Sequence, residues 1–105
     1  MAFTGQEDHD ISLDLAARMT KRYRDANLNT IKGVFFGRDA IEAILAQSNC
    51  VGIRVYFALD GATTPNLTAV LVGAKSNEDD IENGVLAEMG KPCPNQCGVN
   101  NKLNS

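Results

Sequence analysis

The residues best suited to chemistry are few: the chain carries three cysteines and one histidine, with no tryptophan. Cys93 and Cys97 stand four apart in the proline-stiffened string Pro92-Cys93-Pro94-Asn95-Gln96-Cys97, and Cys50 lies far upstream. Zinc needs thiolates and imidazoles held in a tetrahedron, and Cys50, Cys93, Cys97 and His9 are the only set that could supply one. The C-x-x-x-C spacing is not that of a zinc knuckle and no second pair exists, so these cysteines are weak metal candidates. The same spacing is wrong for a thioredoxin-type redox pair. A disulfide between Cys93 and Cys97 is sterically feasible, but the expected cytoplasmic setting favours free thiols. Cys50 reads as a small buried hydrophobe.

Three other groups carry charge in a pattern. Arg18, Lys21, Arg22 and Arg24 make the first helical segment basic, with Arg18, Lys21 and Arg22 on one face, while Glu78, Asp79, Asp80 and Glu82 form an acidic cluster that could pair with it. No aromatic platform or recognised module accompanies the basic stripe, which argues against nucleic acid. Arg38, Asp39 and Glu42 open the second helical segment, where helix-end electrostatics accounts for the carboxylates and the turn before Arg38 could meet an anion. Arg54 and Tyr56 share the non-core face of a predicted strand. Both residue types are enriched in binding hot spots, so Arg54, Tyr56 and Arg38 are the candidate contact residues.

The elements that would position these residues follow from hydrophobic spacing. Leu13, Ala16, Ala17, Met19, Tyr23 and Ala26 recur at helical intervals, with Ser12 or Asp10 as N-cap. A second helix is predicted over residues 38–47, with Ile41, Ile44 and Leu45 on one side. Residues 51–59 alternate strictly, so that Ile53, Val55, Phe57 and Leu59 are expected in the core, and residues 67–74 read as a second strand. The connection between them is too short for a parallel crossover, which leaves an antiparallel hairpin. A lone hairpin is marginal in water, so residues 31–36 or a second copy of the chain should extend it. Residues 1–10 read as a flexible polar lead and residues 90–105 as an irregular tail rich in Cys and Asn.

Length and composition bound the rest. The 105 residues fit a single domain of residues 1–105, and a net charge of −3 disfavours general binding to polyanions. No apolar run approaches the length of a membrane helix, and the lead lacks the features of a secretory signal, so a cytoplasmic protein without membrane contact is expected. A domain this small has a thin stability margin.

The string Phe35-Phe36-Gly37-Arg38-Asp39 with Ile41 and Ile44-Leu45-Ala46-Gln47, then residues 50–58 and Leu71-Val72-Gly73, resembles a group of small proteins from Bacteroidota-type bacteria with no assigned activity. Their chains end in a Cys-Pro-rich tail similar to residues 93–97. The resemblance spans about residues 12–97 and implies a bacterial α+β domain. It brings no active site with it.

The expected fold is therefore α+β, with two N-terminal helices packed on a small antiparallel sheet built around a hairpin. The leading functional expectation is a non-enzymatic interaction or regulatory protein, a homodimer that buries a sheet face or pairs sheet edges, with no cofactor. The alternative is a small-molecule binder or minor enzyme with a pocket between the second helix and the sheet, using Cys50, Arg54 and Tyr56. A zinc-stabilised domain is the third reading.

Overall fold

The computed structural model describes residues 2–105. It has the expected α+β composition, with two helices and antiparallel sheets. The chain divides into two compact units, one made of residues 2–7 with Phe36–Gly90 and the other of Asp8–Phe35 with Lys91–Ser105.

The first unit is built on the predicted hairpin. Strand β2 (Cys50–Leu59) pairs antiparallel with β3 (Leu67–Lys75), in a register that sets Ile53 opposite Gly73, Arg54 opposite Val72 and Phe57 opposite Ala69. The turn at residues 60–66 is closed by Asp60, whose Oδ1 accepts the backbone N–H groups of Ala62 and Asn66, each at 3.1 Å. These two donors, with Asn66 the stronger influence, hold the Asp60 carboxyl below its ordinary pKa. The third strand is β4 (Leu86–Ala87), which pairs with the far side of β3 and gives the order β2-β3-β4. The hairpin is thus extended by β4 rather than by residues 31–36.

Helix α2 (Arg38–Leu45) packs on this sheet. Its Ile44 is fully buried, at 0% exposure, and the unit's other buried apolar residues are Ala69, Leu71, Val72 and Ala74 of the central strand. Gly73 lets helix and strand approach closely, since a Cβ there would lie 2.9 Å from Cys50 Sγ and 3.3 Å from Ile44 Cγ2. Gln47, just past the helix, ties down the approach to β4: its Oε1 accepts the Val85 N–H at 2.7 Å while its Nε2 donates to the Ile44 carbonyl at 2.9 Å. A Cβ at Gly84 would run into that same Oε1, so the bond depends on glycine there.

One expectation about the core fails. Ile53 is half-buried, but Val55, Phe57 and Leu59 are exposed at 48%, 85% and 67%. The reason is length. The eight residues of α2 span about 12 Å, whereas the ten of β2 run for about 33 Å. The helix covers one end of the strand and leaves the other bare.

The second unit begins with α1 (Leu13–Asp25), capped by Ser12 Oγ, which accepts the Leu15 N–H at 3.1 Å. The helix ends as the chain enters a left-handed residue, Asn27, at φ 53°. Strand β1 (Gly33–Phe35) then pairs antiparallel with β5 (Lys91–Cys93) in a two-stranded sheet. Residues 31–36 therefore find their partner in the tail. Tyr23 of α1 donates its hydroxyl to the carbonyl of buried Ile31 at 2.7 Å, joining the helix to the segment that leads into β1. No helix among the described residues is long and apolar enough to cross a membrane.

Candidate functional site

The first unit gathers polar side chains on the sheet face turned away from α2. Arg54 and Tyr56 are two apart on β2 and so point the same way. The acidic residue that meets them is Asp80, placed by an isolated antiparallel bridge between Ala74 and Asp80 and by the bond from Ile81 N–H to the Gly73 carbonyl at 2.8 Å. Asp80 thus runs beside β3 on the side away from β2. The long arginine and tyrosine side chains cross β3 to reach it.

The contacts form a fork. Arg54 Nη1 donates to Asp80 Oδ1 at 2.5 Å and to the Glu78 carbonyl at 3.0 Å, while Tyr56 Oη donates to Asp80 Oδ2 at 2.5 Å. One carboxylate therefore accepts from two side chains, one bond to each oxygen. Above the guanidinium lies the ring of Phe3, with Arg54 Cζ 5.4 Å from its centroid, inside the range of a cation–π contact. Phe3 is set there by its own N–H, which donates to the Ser76 carbonyl at 2.8 Å. The lead expected to be flexible thus contributes a ring to the cluster.

The charges shift accordingly. The Tyr56 hydrogen bond, and after it the Arg54 guanidinium, hold the Asp80 carboxyl below its ordinary value of 3.8. The same bond to Asp80 raises Tyr56 above its ordinary 10.0. Arg54 is raised too, first by its hydrogen bond to Asp80. Asp80 stays ionised and Tyr56 stays protonated across the physiological range. The cluster therefore carries no group poised to exchange a proton near neutral pH, which general acid–base catalysis requires. Its bonds close on themselves, and it works as a clamp that ties residues 78–80 to β2.

The sequence candidates are distributed as follows. Arg54 and Tyr56 come together as expected, but the acceptor that organises them, Asp80, is in the sequence only one member of an acidic run. Arg38 is the first residue of α2, exposed, and that helix packs on the opposite sheet face. Cys50 also faces α2, as its Sγ beside Gly73 and Ile44 requires, so it does not converge with Arg54 and Tyr56. Cys93 and Cys97 are joined as a disulfide in the second unit, which removes both as thiolate ligands, and Cys50 is the free cysteine. Among the described residues no three His, Cys, Asp or Glu side chains gather as a metal would need. Within its own unit Asp80 pairs with Arg54, and Lys21 pairs with Asp25 on its own helix at 2.6 Å.

Fold and cluster together define an α+β protein whose three-stranded sheet carries a hydrogen-bonded polar clamp on one face and a partly bare apolar strand on the other. Comparison of the chain with known protein families, with curated proteins and with solved structures finds no match.

Proposed function

We propose that this chain is a non-enzymatic interaction protein that forms a homodimer through β2. The observation that carries the reading is Phe57, exposed at 85% between Val55 and Leu59 on one face of a strand at the edge of its sheet. An edge strand presents unpaired backbone N–H and C=O groups, and one that is long and apolar associates unless it is blunted by charge, proline or a bulge. Residues 53–59 contain Arg54 as their sole charge and no proline, and the one register shift falls earlier, between Cys50 and Gly52. The opposite edge, β4, is only two residues long.

A second copy of the chain suits this surface because a two-fold axis sets β2 against β2 of the partner antiparallel, extending the ladder with the same residues on both sides. Phe57 would then bury its ring against the partner's apolar face. Nothing in the geometry favours the pocket reading, since Cys50 lies on one sheet face and Arg54 and Tyr56 on the other. The paired Cys93 and Cys97 suit an oxidising compartment better than the cytoplasm expected from the sequence.

Light scattering during size-exclusion chromatography, over about 1 to 100 μM protein, tests the proposal. Wild type should elute with a dimer mass and Phe57→Asp with a monomer mass, both with the same circular dichroism. A wild type that stays monomeric at the top of the range, or a variant that dimerises as well, overturns it.

A further inference from the structure

The second unit holds a groove of about 330 Å³ between α1 and the end of the tail. Arg18, Lys21, Arg24 and Lys102 line it, with Asp25 as the one acidic side chain and Ser105, the last residue of the sequence, also on the lining, so cations outnumber carboxylates there in a chain whose net charge is −3. Arg18, Lys21 and Arg24 follow one another at three-residue steps on α1, which keeps them on neighbouring turns of one flank. Lys102 arrives from 78 or more residues away and joins them on the groove wall, so the cluster is more than a solvated helix stripe.

The tail that brings Lys102 is held in place. Arg24 Nη1 donates to the Leu103 carbonyl and Lys32 Nζ to the Asn104 carbonyl, each at 2.7 Å. Asn101 Oδ1 accepts the Leu103 N–H at 2.8 Å and the Asn104 N–H at 3.2 Å, which folds the segment into a tight turn. The charges on the groove are only partly answered. Lys21 is paired with Asp25 at 2.6 Å, and Lys102 meets Asp14 at a loose 3.6 Å. Arg24 gives its bond to a neutral carbonyl, and the Arg18 guanidinium makes no hydrogen bond or ion pair among the described residues. Bringing four cations together with so little compensation costs Coulomb energy that an anion would recover.

We propose that this groove binds the phosphate chain of a small phosphorylated molecule, with Arg18 and Lys102 as the principal contacts. Guanidinium forks match phosphate oxygens and give bidentate bonds, and a lysine adds a mobile point charge. A monocarboxylate would satisfy one of these cations, whereas a di- or triphosphate satisfies several. The volume lies at the lower end of small-ligand sites, the size of a phosphate chain with little room beyond it. No aromatic side chain lines the groove to stack a base, so a nucleic acid strand is the poorer fit. The site lies in the second unit and is independent of β2, so it stands or falls apart from the dimer.

Isothermal titration of the full chain with inorganic tripolyphosphate, pyrophosphate and acetate at low salt reads the proposal. Tripolyphosphate should bind more tightly than pyrophosphate, acetate should give no heat, and added salt should weaken binding. Arg18→Glu and Lys102→Glu should each weaken tripolyphosphate at least tenfold, while Arg22→Glu, a charge change of equal size on the same helix but outside the groove lining, should change it less than threefold. Amide chemical shifts on titration locate the site, and far-ultraviolet circular dichroism shows that each variant keeps its helix. Absence of binding at millimolar tripolyphosphate overturns the proposal. So does an equal loss in all three variants, which marks a diffuse charge effect, or tighter binding of a single-stranded oligonucleotide than of tripolyphosphate, which marks a nucleic-acid surface.

Discussion

Arg54 and Asp80 are 26 positions apart in the chain and meet across β3 at 2.5 Å, the guanidinium reaching over the central strand to the carboxylate beyond it. The pair ties the stretch after β3 to the hairpin's first strand, so the acid dependence of the first unit should report it. Asp80 has a lowered pKa in the folded protein, so its contribution is present above the ordinary value of 3.8 and is lost as pH falls through the folded value. Tyr56 runs the other way: its raised pKa keeps its contribution intact below 10.0 and removes it as pH climbs through the folded value. Urea unfolding of wild type should lose midpoint both below about pH 4 and above about pH 10. Asp80→Asn should be less stable at pH 7 and show a shallower acid decline, and Tyr56→Phe should flatten the alkaline limb. Unchanged limbs in both variants would show that the fork does not form in solution. Some acid slope will persist in Asp80→Asn, because hydrogen bonds also hold Glu7 and Asp60 low.

Ile44 and Phe57 test where the core lies. Ile44 is fully buried against Gly73 and β3, so Ile44→Ala should cost about 2–5 kcal/mol of stability. Phe57→Ala, at a ring almost wholly in water, should cost under about 0.5 kcal/mol in the monomer. Denaturant melts at protein concentrations where each sample is monomeric give both values. Comparable losses would mean that Phe57 is covered by the chain itself.

The disulfide is directly countable. Protein purified without reductant, unfolded in guanidinium and treated with iodoacetamide, should take up one label, on Cys50, and three after reduction. Because the loop it closes is short, reduction should lower the stability of the second unit by about 2 kcal/mol. Three labels without reductant would show free thiols and restore the cytoplasmic reading. A melt indifferent to reduction would show that the β1–β5 pairing holds without the bond.

What the sequence made legible was local. Helical spacing placed α1 and α2 to within a few residues, and alternation with a short polar connection identified β2, β3 and their antiparallel pairing. The three shortest strands escaped because their signal is not local: β1 is three residues whose partners, such as Cys93 for Gly33, lie far along the chain. The fork was half legible. Face and residue type single out Arg54 and Tyr56, but in the sequence Asp80 is one carboxylate among several, and only the bridge to Ala74 fixes its place. Alternation along β2 correctly sorted its two faces yet could not say how far an eight-residue helix would cover one of them. For the same reason alternation alone predicts core at the bare end of the strand.

The chain has no tryptophan and two tyrosines, and the hydroxyls of these tyrosines have different partners in different units. Tyr23 bonds a backbone carbonyl beside the two-stranded sheet, and Tyr56 bonds a carboxylate on the three-stranded one. Ultraviolet fluorescence of this protein is therefore a two-channel signal. With Tyr56→Phe the emission follows the disulfide-bonded unit alone, and with Tyr23→Phe it follows the hairpin unit alone. The chain thus carries its own means of telling whether its two halves melt together or one after the other.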